Sequence, residues 1–375
     1  MTEPAGKGGP GAPSATVKWA ALALITLFLL VVLAAAAEGL VRFRQYQRVG
    51  SVVSQETLYS VDQALQLRVL NPGVRTARMS INSSGFRGPE IETPKPQGRV
   101  RVAFIGASTT FCAEVSGDSA VWPHLVVEQL RAAYPEASFD YVNGGVPGYG
   151  VGSSLKNLRH RVAVHRPDII VIYHATNDLS GEMRKLAAVQ GLGEAADSVR
   201  QSWFERHSLL WELVVKNLRV RDAQRQAAHA GDRRLAVDPA GIGTEFKLEL
   251  GLLAKESAGV ASRVAIATFS TRLRREQTPV QQSQAAVSAF VYMPFMSLDG
   301  LLGGYARYNQ IIRQVAAAEG ALLIDGEHAI PGDAAHFVDT VHFTDAGSRA
   351  MAERVARALR GDAQIAGLIQ SRSRR

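Results

Sequence analysis

An α/β fold is predicted: a three-layer α/β/α sandwich with a central parallel sheet, preceded by one N-terminal transmembrane helix. Three observations predict it. Short apolar runs, residues 102–105 and 169–173 among them, lack the polar alternation of a half-exposed strand and suit strands buried on both faces. Segments of helical periodicity separate these runs, and strands alternating with helices build a parallel sheet with both faces covered. Ahead of them all, residues 20–37 are uncharged and apolar throughout.

From the N-terminus, residues 1–18 are rich in Gly, Pro and Ala and are expected to form a flexible tail. Residues 19–40 hold the apolar run, about long enough for a membrane span and longer than the roughly 7–15 residues of a signal-peptide core. A permanent anchor is expected, with a cleaved signal ending in the small residues 34–37 as the alternative. Lys7, Lys18 and the terminal amine precede the span, and Arg42, Arg44 and Arg48 follow it, so charge barely decides orientation. A short tail before one span and a large domain after it favours a single-pass protein with its main domain on the extracytoplasmic, periplasmic side. Residues 41–98 are a juxtamembrane segment that ends in the breaker-rich Pro94-Lys95-Pro96-Gln97-Gly98.

The main domain is expected over 99–360. Its strands are placed at 100–105, 139–142, 168–173, 264–269 and 321–324, and its helices at 119–132, 154–164, 305–319 and 345–359. Residues 181 to about 261 interrupt the alternation with polar and helical sequence and read as an insertion. Within it, the apolar residues of 208–215 nearly encircle a helix, which signals packing against a neighbour, with a lid or a lipid contact as the second reading. Residues 361–375 form a basic C-terminal tail.

The 375 residues, 46% hydrophobic and 20% charged, suffice for one substantial core. The formal charge of +8 comes from scattered Arg and Lys without zinc-finger spacing, a basic zipper or an aromatic RNA-binding signature, so no nucleic-acid partner is expected. A single cysteine, Cys112, excludes an internal disulfide and argues against a cysteine-based metal site.

Two distant segments fit together chemically. Gly106-Ala107-Ser108-Thr109 follows the first buried strand, so Ser108 stands at the carboxyl edge of the sheet, where open α/β sheets bind ligands. The helix expected behind it would offer backbone amides to negative charge. Near the other end, Asp339-Thr340-Val341-His342 can supply a base, His342, and the carboxylate that orients it, Asp339. The glycines of Asn143-Gly144-Gly145-Val146-Pro147-Gly148-Tyr149-Gly150 let a backbone N–H approach a bound ligand; the spacing is not that of a dinucleotide loop. Asn177, just past the third strand, can point its amide into the same cleft, while Asp178 is expected to tie down the loop. The tripeptide Gly117-Asp118-Ser119 follows no apolar strand, and Asp118 or Ser119 is expected to cap a helix. His328, His336, Asp333 and Asp345 crowd the last segment, but no metal-ligand spacing appears, and neither metal nor cofactor is expected.

Taken in order, these four segments resemble the SGNH (GDSL-like) hydrolase superfamily over roughly 99–359, outside the insertion. The resemblance implies a flavodoxin-like sheet, Ser108 as nucleophile, His342 as base, Asp339 as its orienter, and the Ser108 amide, Gly145 and Asn177 as oxyanion donors. Ile81-Asn82-Ser83-Ser84-Gly85-Phe86-Arg87-Gly88 and Trp122-Pro123 also look like membrane-anchored bacterial members. Ala107 replaces the aspartate of the Gly-Asp-Ser form, and Ala175 the glycine of Gly-x-Asn-Asp. The implied activity is hydrolysis of an O-acyl ester, of an envelope carbohydrate or lipid, through an acyl-enzyme on Ser108. Two alternatives stay open: O-acyl transfer to an exported polysaccharide, and non-catalytic glycan binding.

Overall fold

The computed structural model describes residues 15–49, 55–192, 202–228 and 235–373. The expected tail at 1–18 lies outside these except for 15–18, which already belong to the helix Ala15–Val49. Within that helix, Trp19–Gln47 is long and apolar enough to cross a membrane.

A small antiparallel hairpin, β1 (Tyr59–Asp62) and β2 (Leu67–Leu70), opens the globular part. The main sheet has five parallel strands: β3 (Arg99–Gly106), β4 (Ser138–Asn143), β5 (Ile169–Tyr173), β6 (Arg263–Ala267) and β7 (Leu322–Ile324). They lie in the order β4-β3-β5-β6-β7. All five stand where the sequence predicts them, within two residues at each end. The helices Trp122–Ala133 and Asp345–Gly361 pack together on one face. Val151–Asn157, Thr244–Val260 and Leu298–Ala318 cover the other, completing three layers. Because β3 has β4 on one side and β5 on the other, the winding direction reverses there, which opens a crevice at the carboxyl ends of these strands.

Central burial explains the continuous apolar strands, and Arg101 is the instructive exception. It is fully buried in β3. Its register partner across the strand pair is Asp140, whose carboxylate accepts from Nε and Nη2 at 2.7 Å each, while Nη1 donates to His165 O and Nη2 also to Glu92 O. A buried charge is tolerable when paired and hydrogen-bonded in this way.

Three segments depart from expectation. Of the juxtamembrane 41–98, residues 41–49 continue the N-terminal helix, and residues 59–92 are a buttress: Leu67, Leu70 and Ile81 form a second small core with Ala107, Phe111, Val146 and Tyr149. The region set apart as an insertion contributes Thr244–Val260 to the sandwich, with Phe246, Leu250 and Leu253 buried in the main core. The basic tail is replaced over Ala363–Ser373 by a helix with buried Ile365 and Ile369, each worth about 1.5–3 kcal/mol of burial. Its Arg372 donates to Asp168 Oδ1 at 2.7 Å, and Lys95 of the proline cluster reaches Asp168 Oδ2 at 2.5 Å. Both chain segments are thereby fastened at the amino end of the sheet, opposite the crevice.

The helix Pro279–Tyr292 has no counterpart among the expected elements, although Thr278-Pro279 with Gln281 at the third position is a sequence signature of a start. Thr278 and Gln281 form the reciprocal capping box. Against it packs the helix Leu209–Ala228, in agreement with the encircling pattern at 208–215, yet Trp211, Leu213 and Leu218 stay exposed.

Candidate active site

After Gly106 the chain turns, and Ser108–Phe111 make one helical turn that Cys112 ends in the left-handed conformation, φ 58°. The helix expected behind Ser108 is limited to this single turn. Arg87, buried in the upstream buttress, is the physical reason. Its Nη1 donates to Phe111 O at 2.9 Å and to Cys112 O at 2.5 Å, supplying partners that continued helix would otherwise provide. Cys112 packs as a small side chain whose Sγ donates to Thr109 O at 3.2 Å. Burial pushes its thiol up to about 12, so it is inert at neutral pH.

The last loop brings its two residues to this turn. His342 Nε2 lies 2.9 Å from Ser108 Oγ, and His342 Nδ1 lies 2.8 Å from Asp339 Oδ2. Asp339 Oδ1 accepts from the backbone N–H groups of Val341 and His342, both at 2.9 Å, which fixes the carboxylate in the loop. Burial opposes ionisation of Asp339, but the bond and charge of His342 and the two backbone donors outweigh it and hold the carboxyl below its usual range. The ionised carboxylate is acceptor-only, so the neutral imidazole carries its proton on Nδ1 and offers the Nε2 lone pair to Ser108. Burial likewise opposes the imidazolium, yet Asp339 and the Glu114 charge raise the proton affinity of His342 above the ordinary value.

A cleft of about 800 Å³ opens over this relay. Ser108, Asn177, Asp339 and His342 line it together with Gly148. Gly145 does not. Its N–H donates to Asn143 Oδ1 at 3.1 Å, and a Cβ there would lie 2.6 Å from Phe111 N. Gly145 is thus a packing glycine that lets the second loop close on the nucleophile turn, and the expectation that it donates into the cleft is corrected. Gly148, at φ +86°, is the glycine of the same run that reaches the cleft. Asn177 Nδ2 donates to Tyr149 O at 2.9 Å, which locks the side chain beside that loop and leaves its second N–H available.

The remaining candidates have other work. Asp118 does not cap a helix: it accepts from Ser80 N at 2.8 Å and Arg87 Nε at 2.8 Å, pinning the buttress. Asp178 ties down its loop as expected, accepting from Val151 N at 2.8 Å. His336 pairs with Asp333 at 2.8 Å, and Asp345 accepts from Ser116 N at 2.8 Å. Among the described residues no group of three or more His, Cys, Asp or Glu is arranged to hold a metal ion. Sequence reasoning missed Gly148, whose signal lay in the same glycine run, and Glu114, which no local pattern marks.

The model of the GDSL-like lipase/acylhydrolase family matches residues 104–350. Among solved structures, the chain is similar to Axe2, an acetylxylan esterase from Geobacillus stearothermophilus, at 19% identity and TM-score 0.41, over 71% of this chain and 95% of that one. It is also similar to LAE5, an alpha/beta hydrolase enzyme from the metagenome of Lake Arreo, at 18% identity and TM-score 0.40, over 69% and 94% of the two chains. No curated protein matches it. On the family match, the chain belongs to the GDSL-like lipase/acylhydrolase family of the SGNH superfamily, enzymes that hydrolyse esters.

Proposed function

We propose that the chain is a membrane-anchored serine esterase that cleaves an O-acyl ester of an envelope carbohydrate or lipid through an acyl-enzyme on Ser108, its main domain outside the cytoplasm. The observation that carries the reading is the unbroken relay from Asp339 through His342 to Ser108 beneath an open cleft. His342 Nε2 takes the Ser108 proton as Oγ forms its bond to the acyl carbon, and the carbonyl electrons move onto oxygen. The N–H groups of Ser108 and Gly148 and the Asn177 amide receive that oxyanion; they line the same cleft, and the remaining N–H of Asn177 is unspent. As the electrons return, the ester C–O bond breaks and His342 gives its proton to the leaving alcohol. Water, deprotonated by His342, then attacks the acyl carbon; the bond from that carbon to Ser108 Oγ breaks, His342 returns its proton to Oγ, and the free acid leaves.

A sugar-bearing ester suits the cleft walls. Tyr59 and Tyr292 present rings, and Arg68 and Arg184 present donors, the mixture that packs on sugar C–H faces and hydrogen-bonds hydroxyls. The helix Ala15–Val49 supports the anchor.

The test is labelling by a fluorophosphonate and hydrolysis of p-nitrophenyl acetate by the full chain in detergent, beside Ser108→Ala. Labelling and turnover are expected in the parent and absent from the variant. Equal labelling in both, or none in either, overturns the assignment. Release of free acid, rather than transfer to added oligosaccharide, separates hydrolysis from acyl transfer.

A further inference from the structure

The helix Ala15–Val49 does not simply leave the rest of the chain behind. Glu38, the first charged residue after the apolar run 20–37, binds the start of the helix Leu209–Ala228. Its Oε1 accepts from Leu209 N at 3.1 Å, and its Oε2 from Leu210 N at 2.9 Å and Ser208 Oγ at 2.8 Å. Arg42 Nη2 adds a bond to His207 O at 3.0 Å. A carboxylate at a helix N-terminus satisfies orphan N–H groups and complements the helix dipole, so this junction is a specific one. It holds residues 203–211 level with the end of the apolar span.

What is held there is apolar and uncovered. Trp203 is 59% exposed, Phe204 60%, Trp211 46% and Leu213 47%. The three aromatic rings form one cluster: Trp203 meets Phe204 edge-on at 5.2 Å between ring centroids, and Phe204 lies 6.2 Å from Trp211. Scattered exposed side chains are ordinary; a contiguous aromatic patch at the end of a membrane-spanning segment is the composition of an interfacial belt. Lys216, Arg219, Arg221 and Arg225 follow on the same helix against Glu212 and Asp222, an excess of positive charge suited to anionic headgroups.

We infer that Trp203, Phe204, Trp211 and Leu213 insert into the interface of the bilayer that the helix Ala15–Val49 crosses, forming a second membrane contact that sets the orientation of the main domain. This rests on the reading of Ala15–Val49 as an anchor. The surface also neighbours the cleft. Leu209–Ala228 packs on Pro279–Tyr292, whose Ser288, Ala289 and Tyr292 line the cleft, so docking presents the active site to esters carried at the membrane surface.

Nitroxide labelling tests it. Cys112 is buried and unreactive at neutral pH, so Phe204→Cys, Leu213→Cys and, as comparator, Leu248→Cys on the helix Thr244–Val260 accept label only where introduced. The full chain is reconstituted in phosphatidylcholine/phosphatidylglycerol vesicles, and the accessibility of each label to oxygen and to a water-soluble nickel chelate is measured by power saturation. The expected result is high oxygen and low nickel accessibility at 204 and 213, and the reverse at 248. Nickel accessibility at 204 and 213 equal to that at 248 overturns the inference. Shielding of both labels from oxygen and nickel alike also overturns it, in favour of a protein partner. Extraction of the chain from membranes by alkaline carbonate defeats the anchor reading itself, and is distinguished from the other outcomes by being scored before labelling.

Discussion

His342 Nε2 and Ser108 Oγ, separated by 234 residues of sequence, stand 2.9 Å apart. Both reach that point at the carboxyl edge of the sheet, Ser108 from the turn directly after β3 and His342 from the long segment 325–344 after β7, and each is fixed by bonds of its own. The nucleophile turn is held by Arg87, and the Asp339 loop by its own backbone donors. The contact is thus preorganised before any substrate arrives, which is how a serine–histidine pair avoids reorganisation cost during reaction.

The pH profile of this pair follows from the sign of its charges. In the proposed mechanism His342 acts as a base only when neutral, so kcat/KM falls as pH drops through its free-enzyme pKa, raised above the ordinary 6.5 by Asp339 and Glu114. Glu114 lines the cleft, and its Oε2 is buried without a hydrogen-bond partner. Replacing Glu114 by Gln removes a negative charge and keeps the shape. The acid limb of kcat/KM is expected to move to lower pH while the plateau rate stays within about threefold. An unmoved or upward-shifted limb would show that Glu114 does not hold the proton on His342.

Asn177 separates positioning from binding. With its amide removed by Asn177→Ala, one of the proposed oxyanion donors is lost, and such donors are typically worth about 100- to 1000-fold in turnover. The substrate's ground state barely uses that bond, so KM should change by less than about threefold. Stopped-flow or steady-state assays with p-nitrophenyl acetate measure both constants. Turnover near the parent value would remove Asn177 from the oxyanion site.

Asp118 and Ser119 have separable fates. Arg87 is buried, and the Asp118 carboxylate is its ionic partner at 2.8 Å. Asp118→Ala leaves a buried guanidinium short of its counter-charge, a loss of about 3 kcal/mol, and loosens the buttress behind the nucleophile turn. Ser119→Ala is expected to keep parent stability and parent turnover. Thermal unfolding and ester hydrolysis on the two variants check both statements; loss of turnover in Ser119→Ala at unchanged stability would make that serine catalytic after all.

The sheet and the relay were legible in the sequence because both rest on local patterns. A strand buried on two faces is apolar whatever its neighbours, and an Asp-x-x-His loop carries its own hydrogen bonds. What was not legible depends on side chains from elsewhere. Which glycine faces the cleft is decided by Asn143, which captures the Gly145 N–H. The buttress over 59–92 is recognisable only once Arg87 is seen to reach Phe111 and Cys112. The C-terminal helix was hidden by the arginines that crowd positions 372–375 of the sequence, although Ile365 and Ile369, one turn apart, are the pair it buries.

Behind the cleft, His174 Nε2 meets Ser154 Oγ at 2.8 Å, and Asp178 carries a buried Oδ2 without a hydrogen-bond partner, 3.9 Å from His174 Nδ1. Burial pushes the imidazole down to about 3, so it offers no counter-charge at neutral pH. Burial, with Glu249 and Glu245 adding repulsion, pushes the Asp178 carboxyl up from 3.8 to about 7. A carboxyl that binds its proton more tightly when folded makes the native state lose stability as pH rises. The penalty is absent below about pH 4, grows up to about pH 7 and then levels off, following from the values 3.8 and 7. Asp178→Asn removes the charge and keeps an oxygen for Val151 N. Each tenfold difference in proton affinity is worth about 1.4 kcal/mol, so the variant should exceed the parent by more than about 1 kcal/mol at pH 8. The advantage should shrink as pH is lowered toward 4.5. Denaturant melts of the parent and the variant at the two pH values measure the difference, and an advantage that is no greater at pH 8 than at pH 4.5 would contradict a carboxyl that stays protonated near neutrality.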